Sequence, residues 1–275
     1  MTQLKFTKMH GIGNDYIYID CIDKAPEFDP TELSPRLCDR NYSIGGNGLV
    51  LILPSEIADY RMKMFNADGS EGAMCGNAIR CVGKYLYEHG YIAKTDRPTV
   101  TIQTASGIKQ LNLLTEDGET VTAVQVDMGT PVFSKHPVTL QVGRREYTGL
   151  KISMGNPHYV IFCEDVLHQP VTTDGPYIET MSCFPDRTNV EFVEQIGENR
   201  LRMRVWERGS GETMACGTGA CAAAVSAVLQ EFCSANEPIT VELPGGNLEV
   251  IFDGSSVYMT GPAEQVFEGL MTLKD

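Results

Sequence analysis

Alternating hydrophobic and polar positions occur in short segments along most of the chain, and each segment has the period of a strand. The clearest early segments are 4–9, 16–19, 61–65 and 99–103, and similar segments recur after residue 121. Two helical segments interrupt them. One follows Cys75 and ends before Gly90, and the other is the alanine-rich stretch that follows Cys216 as far as Leu229. The pattern predicts a mixed α/β fold.

The two predicted helices begin in copies of the same turn. The first reads N-A-D-G-S-E-G-A-M-C-G-N and the second reads E-R-G-S-G-E-T-M-A-C-G-T, with Cys75 and Cys216 standing 141 positions apart. Gly13-Asn14 and Gly155-Asn156 repeat at nearly the same spacing. Because duplicated units often build one site at their interface, we expect two similar domains with the active site in the cleft between them. The predicted domains are residues 1–120, completed by the C-terminal strand 262–275, and residues 121–261. The strand pattern of that C-terminal segment covers residues 267–273.

A cysteine at a helix N-terminus lies beside unsatisfied N–H groups and the positive end of the helix dipole. This predicts an acidic thiol at Cys216. Inversion of a carbon acid needs one group that removes a proton and another that delivers one on the opposite face. Cys75 and Cys216, one ionised and one protonated, suit that task. Helix N-termini directed at a carboxylate would stabilise the developing charge, so the interpretation needs neither a metal nor another cofactor.

Polar residues around the two cysteine turns are suited to binding an amino-acid zwitterion. Arg208 can bind a carboxylate through two hydrogen bonds, and Glu207 can accept one from an ammonium group. His158, after Gly155-Asn156-Pro157, is a candidate for tuning a thiol. Five asparagines are predicted to lie in loops near the cysteines: Asn14, Asn66, Asn77, Asn156 and Asn189.

Composition limits the partners and the compartment. The net charge of −14 over 275 residues argues against nucleic-acid binding, which depends on cationic side chains. No apolar stretch reaches 18 residues and the N-terminal segment has no signal-like apolar region, so a cytoplasmic location without membrane contact is expected. Nine cysteines, an odd number without a C-x-x-C motif, favour thiols over disulfides or a zinc site.

Six motifs lie in the same order along nearly the whole chain as in a known family: H-G-I-G-N-D, F-N-A-D-G-S-E with M-C-G-N, G-N-P-H, F-P-D-R-T-N-V-E-F, E-R-G-S-G-E-T with A-C-G-T-G-A-C-A, and L-P-G-G-N-L-E-V. Together they make the chain resemble the diaminopimelate epimerases. The resemblance implies cofactor-independent conversion of LL-2,6-diaminopimelate to the meso form, in lysine and peptidoglycan-precursor biosynthesis. It also implies two pseudosymmetric domains, each a β-barrel-like sheet around a central helix, with a homodimer as the candidate assembly.

The resemblance also assigns residues. It makes Cys75 and Cys216 the acid/base pair, and gives His158 and Glu207 the means to modulate them. Backbone contacts to the reacting carboxylate come from Gly76, Asn77, Gly217 and Thr218. The implied substrate contacts are Asn14, Asn66, Asn156, Asn189, Glu207 and Arg208.

The segment of residues 43–48, S-I-G-G-N-G, departs from the family pattern. Relatives usually have G-I-G-A-D followed by Gly or Gln, whereas this chain has an asparagine, Asn47, in place of the aspartate and Gly48 after it. The segment lacks the lysine and the following helix of a phosphate-binding loop, so we interpret it as a turn of the binding site.

Two other functions stay open on the sequence. One is a racemase of the same superfamily, of the proline or hydroxyproline type, although those enzymes resemble M-C-G-H where this chain has Asn77. The other is a non-catalytic thiol protein that uses the same cysteines for redox sensing or metal binding. If alkylation of the two cysteines abolished turnover without releasing a metal ion, the cysteines would be catalytic, and the non-catalytic thiol function would be excluded.

Overall fold

The computed structural model describes residues 2–273, which fold as two compact units. The first contains the chain up to Val126 together with the residues from Gly261 onward, and the second is Asp127–Thr260. The described residues form nineteen strands and four helices. The helices are α1 (Pro30–Cys38), α2 (Gly76–Glu88), α3 (Val171–Glu179) and α4 (Gly217–Leu229).

The strands are β1 (Thr2–Gly11), β2 (Asn14–Asp20), β3 (Gly48–Pro54), β4 (Tyr60–Asn66), β5 (Glu71–Gly72), β6 (Thr99–Thr104), β7 (Gly107–Thr115), β8 (Val121–Gly129), β9 (Val132–Phe133), β10 (Val138–Val142), β11 (Arg145–Ser153), β12 (Pro157–Phe162), β13 (Asn189–Gly197), β14 (Arg200–Glu207), β15 (Gly211–Glu212), β16 (Ile239–Leu243), β17 (Gly246–Phe252), β18 (Val257–Gly261) and β19 (Glu264–Leu273).

The sheet of the first unit runs in the order β19-β1-β2-β3-β4-β6-β7-β8. Its neighbours are antiparallel except at β2–β3 and β4–β6, where α1 and α2 respectively connect parallel strands. Parallel neighbours need such a crossover, whereas antiparallel neighbours can be joined by a short turn. The short strand β5 pairs with β4 immediately before α2 begins.

The second unit repeats this topology. Its order is β10-β11-β12-β13-β14-β16-β17-β18, with parallel pairs at β12–β13 and β14–β16. Here α3 and α4 are the connections, and the short strand β15 pairs with β14 just before α4. The two units therefore share the order and direction of their strands, in addition to the repeated cysteine turns.

The helices α2 and α4 form the centres of their units. Residues 76–87 of α2 are all buried, as are most residues of α4 between Gly217 and Ala227. A helix buried on every side belongs to a core, whereas a surface helix has one polar face. Small residues allow close packing: a Cβ at Gly83 would come within 2.9 Å of a Leu111 methyl group on β7.

Most predicted elements are confirmed, including both cysteine helices and the strand over 267–273, which is part of β19 and pairs with β1. The placement of the asparagines in loops is wrong for four of the five. Asn14 and Asn189 begin strands, Asn66 ends one, and Asn77 is the second residue of α2. Asparagine is compatible with these positions because its amide can bond where a ladder or a helix ends. Within residues 2–273, no helix is both long and apolar enough to cross a membrane.

Candidate active site

Cys75 lies at the N-cap of α2, as predicted. Its backbone is extended (φ −129°, ψ 120°), and Gly76 and Asn77 follow as the first helical residues. The first-turn N–H groups of a helix point along its axis toward the capping residue, so they surround Cys75 with positive potential. The side chain is half-buried, and Asn14 Nδ2 faces its sulfur at 3.8 Å.

The structure brings Asn14, Gly76 and Asn77 to Cys75, whereas the amide of Asn66 is engaged elsewhere. Asn66 ends β4 with an exposed side chain, and its Nδ2 donates to Ser70 Oγ at 2.9 Å. Its backbone N–H also donates to the carbonyl of Ser70. In this arrangement Asn66 closes the turn before β5.

Cys216 occupies the equivalent N-cap of α4, with φ −123° and ψ 108°, but its surroundings differ. Its sulfur is buried and accepts a hydrogen bond from the backbone N–H of Gly219 at 3.3 Å. Thr218 Oγ1 lies 3.6 Å from the sulfur. The carboxyl of Glu207, which accepts a hydrogen bond from the hydroxyl of Thr213, interacts electrostatically with Cys216.

A hydrogen-bonded series connects His158 to this cysteine. His158 Nε2 lies 3.1 Å from Asn156 Oδ1, and Asn156 Nδ2 donates to Thr218 Oγ1 at 3.3 Å. The hydroxyl of Thr218 in turn contacts the Cys216 sulfur. The structure thus links His158, Asn156 and Thr218 to Cys216.

Asn189 holds the backbone at Arg208. Its Oδ1 accepts from the Arg208 N–H at 2.9 Å, and its Nδ2 donates to the carbonyl of Pro157 at 3.0 Å. The Arg208 side chain is exposed, with Nη1 donating to the carbonyl of Asp186 at 2.8 Å. A guanidinium has five donors, so most of its donors stay available for a carboxylate.

The expectation of an acidic Cys216 is wrong for this arrangement. Burial of the sulfur, followed by the nearby carboxylates of Glu207 and Glu191, raises the pKa of the Cys216 thiol well above its ordinary value. Hydrogen bonds from Thr218 and Gly219 lower it only in part. A helix terminus contributes about 0.3–1 kcal/mol, which desolvation of a buried group readily exceeds. Burial also raises the pKa of Glu207. Cys216 is therefore a neutral thiol that can donate a proton.

Comparison with known proteins gives the family. The model of the diaminopimelate epimerase family matches residues 6–134 and 150–266. The chain belongs to this family. A diaminopimelate epimerase of Methanococcus maripaludis is 49% identical and covers 97% of this chain and 99% of its own. That of Acetivibrio thermocellus is 46% identical, with 99% of this chain and all of the relative covered.

Solved structures with the same fold have far less similar sequences. A phenazine biosynthesis protein of the PhzF family from Bacillus anthracis superposes with a TM-score of 0.76 at 17% identity, covering 99% of this chain and 100% of its own. A hydroxyproline epimerase from Agrobacterium vitis gives 0.73 at 16% identity, covering 99% and 93%. These likenesses confirm the predicted fold class and say nothing more about the reaction.

Glu191 lies beside the candidate site and was not predicted from the sequence. It lies in β13 with a fully buried side chain, and its Oε1 contacts His158 Nδ1 at 2.6 Å. Its Oε2 is buried without a hydrogen-bond partner. Buried carboxylates are costly unless paired, which makes this one a candidate for influencing the cysteine chemistry. The available signal was a carboxylate inside the otherwise apolar segment V-E-F-V, residues 190–193.

Glu179 was also not predicted as a site residue, because nothing in the sequence near α3 indicates its contacts. Its buried carboxylate accepts from Trp206 Nε1 at 2.7 Å and from the N–H of Gly209 at 3.2 Å. Arg187 Nη1 is 3.3 Å away. Glu179 therefore holds both sides of the turn that contains Arg208.

Among residues 2–273, no group of three or more His, Cys, Asp or Glu side chains is arranged to hold a metal ion. None of the nine cysteines, all of which lie in that range, forms a disulfide.

Proposed function

We propose that this chain epimerises LL-2,6-diaminopimelate to the meso isomer without a cofactor. The observation that supports it is the repeated placement of a cysteine at the N-terminus of a central buried helix, in two units with the same strand order. Relatives named diaminopimelate epimerase are 46–49% identical over almost the full chain.

The proposed reaction uses the two cysteines in turn. In one direction the Cys75 thiolate takes the α-proton, the electron pair delocalises into the substrate carboxylate, and the Cys216 thiol delivers its proton to the opposite face. In the reverse direction the roles exchange. The mechanism requires one sulfur on each face of the reacting carbon. The neutral state argued for buried Cys216 suits the delivering role.

The reacting carboxylate is held, in this proposal, by the first turns of the two central helices. The N–H groups of Gly76 and Asn77 serve from α2, and those of Gly217 and Thr218 serve from α4. Such donors are oriented before the reaction begins, so they stabilise the negative charge of the transition state without further reorganisation. This stabilisation takes the place of a metal or pyridoxal phosphate.

The second, unreactive end of diaminopimelate is assigned to the remaining polar residues. Arg208 binds the distant carboxylate, and Glu207, while ionised, accepts from an ammonium group. Asn14, Asn156 and Asn189 supply further hydrogen bonds there, and Asn66 is a further substrate contact, which requires its amide to turn away from Ser70. Lysine lacks the second carboxylate and would leave these groups unpaired. Sites built from hydrogen-bonding groups reject such analogues by about 10⁴-fold, so lysine is a very poor substrate.

The biological setting proposed is cytoplasmic synthesis of lysine and peptidoglycan precursors, with the enzyme as a homodimer. An exposed apolar surface on β19 supports the dimer: the side chain of Leu270 is 68% exposed and that of Val266 is 54% exposed. Light scattering should give twice the mass of one chain for the parent. A Leu270→Lys variant should shift toward the monomer, and a monomeric parent would refute the dimer.

Chiral chromatography of purified, reduced protein with LL-diaminopimelate tests the function. The parent should form the meso isomer in the presence of a chelator, and Cys75→Ala and Cys216→Ala should each abolish it. Cys233→Ala is the matched control, because Cys233 is a buried cysteine outside the site. A folded, reduced parent that leaves the substrate unchanged would support a non-catalytic thiol protein instead. Turnover of proline in its place would indicate a racemase of the wider superfamily.

A further inference from the structure

We infer that Asn47 and Arg40 are positioning residues that fix the side-chain amide of Asn14 with its N–H group toward the sulfur of Cys75. Four side chains form one connected series from a guanidinium to a thiol. The catalytic consequence rests on the proposed function, whereas the geometry of the series does not.

The series begins at a firmly held arginine. Arg40 Nη1 and Nη2 donate to the two carboxylate oxygens of Asp15 at 3.1 and 2.6 Å. Lys8 Nζ, largely buried, lies 2.6 Å from the same carboxylate. Burial acts to raise the pKa of Asp15, but the bonds from Arg40 and Lys8 outweigh it and keep the pKa lowered. The carboxylate therefore stays ionised and holds Arg40 in place.

Only one orientation of each amide satisfies the series. Arg40 Nη2 lies 2.8 Å from Asn47 Oδ1, and a guanidinium has donors but no acceptor. Asn47 must therefore present its oxygen to Arg40 and its Nδ2 to Asn14, whose Oδ1 accepts at 2.9 Å. With that oxygen occupied, Asn14 presents Nδ2 to Cys75 at 3.8 Å. All donors along the series point toward the sulfur.

Backbone contacts hold Asn47 even though its side chain is exposed. Its own N–H donates to the carbonyl of Asp15 at 2.7 Å, and the N–H groups of Gly45 and Gly46 donate to the carbonyls of Leu37 and Cys38 at 2.9 and 3.2 Å. Gly45 has a positive φ of 77°, and a Cβ there would lie 3.0 Å from Arg40 Cα. The segment that differs from the family pattern is thus fixed against α1 and β2.

The expected effect is a larger thiolate fraction at Cys75. An N–H donor favours the charged form of a sulfur, and Arg40, Lys8 and Asp15 together contribute one net positive charge nearby. Tyr18 on β2 and Cys81 within α2 are two titratable groups that interact electrostatically with Cys75. Burial raises the pKa of Tyr18 well above its usual value and that of Cys81 to about 11, so both are neutral near pH 7. An aspartate at position 47 could accept from Arg40 but could not donate to Asn14.

The test measures the pH dependence of Cys75 alkylation by iodoacetamide, read by peptide mass spectrometry without substrate. Asn47→Ala and Arg40→Met should raise the midpoint by about half to one pH unit, which slows alkylation roughly 3- to 10-fold at a fixed pH below it. Asn41→Ala, a change at an exposed neighbour, should match the parent. Alkylation of Cys216 in the same samples should keep its parental profile.

A midpoint for Asn47→Ala within 0.2 unit of the parent would overturn the inference, as would equal shifts at Cys75 and Cys216, which would indicate a general loosening. Because the readout needs no turnover, it separates this inference from the proposed function. A parent that does not epimerise diaminopimelate but shows the Cys75 shifts would refute only the function. An active parent without the shifts would refute only the inference.

Discussion

Gly219→Ala is the substitution that most sharply tests the packing around Cys216. Alanine in a helix interior normally stabilises a protein relative to glycine, by roughly 0.5–1 kcal/mol. At this position the new Cβ would lie 2.9 Å from Glu191 Oε1 and 3.2 Å from Cys216 Sγ. Both contacts are shorter than a carbon can accept without movement of its neighbours.

The neighbours cannot move without loss. Glu191 Oε1 is held by His158 Nδ1 at 2.6 Å inside a fully buried pair, and the Cys216 sulfur accepts from the N–H of Gly219 itself. Overpacking of this kind costs about 1–3 kcal/mol, and weakening a hydrogen bond to a charged group costs about 1.5–3 kcal/mol. After the gain in helix propensity is subtracted, the free energy of unfolding should fall by about 1.5–5.5 kcal/mol.

Urea and thermal unfolding monitored by circular dichroism give the measurement, and Gly83→Ala in α2 is the control. The Cβ of that variant would lie 2.9, 3.0 and 3.6 Å from methyl groups of Leu111, Leu113 and Val124, so the nearest atoms are apolar. Because only the overpacking cost applies there and the helix gain offsets part of it, we expect Gly83→Ala to lower the free energy of unfolding by at most about 2.5 kcal/mol, which is less than the effect of Gly219→Ala. A Gly219→Ala protein as stable as the parent, or more stable, would show that the close packing of Gly219, Glu191 and Cys216 is incorrect.

Three further predictions concern charge and pH. Arg208→Met should lower turnover of diaminopimelate at least about 100-fold. It should change the free energy of unfolding by less than about 0.5 kcal/mol, because the side chain is exposed. Near-normal turnover would show that Arg208 does not bind the substrate. Alkylation of Cys216 without substrate should rise only well above pH 8.5, the ordinary thiol value, because burial raises its pKa; a midpoint below 8.5 would contradict this. Burial also raises the pKa of Cys81 from 9.0 to about 11, so its contribution to stability is complete below pH 9 and is lost as the pH rises toward 11. Thermal scans of Cys81→Ala should show a smaller alkaline loss than the parent, and an equal loss would assign the effect to other groups.

Local chemistry made the elements around the cysteines predictable. Glycine-containing turns followed by a proline-free helical stretch predicted α2 and α4, and both begin one residue after their cysteine. Period-two alternation predicted the strands that surround them. The repeat between Cys75 and Cys216 then indicated that the same topology occurs twice.

Long-range contacts explain what could not be predicted. The sequence places the two cysteines in copies of one turn, but Cys216 lies near Glu207 and Glu191, whereas Cys75 faces an asparagine. Glu191 is 25 positions before Cys216 and belongs to another strand, so no helix or strand period connects them. Desolvation depends on how densely the whole chain packs around a group, and local propensity does not contain that information.

Solvent exchange during turnover tests the two-base proposal most directly. LL-diaminopimelate is incubated with the enzyme in heavy water with a chelator, and both isomers are separated at early times and examined by mass spectrometry. Because the delivering thiol has exchanged with solvent, the meso product should gain one deuterium at the inverted carbon while the remaining LL isomer keeps its protium. Deuterium entering both isomers at equal rates from the start would indicate a single base, and meso product without deuterium would contradict proton delivery by an exchanged thiol.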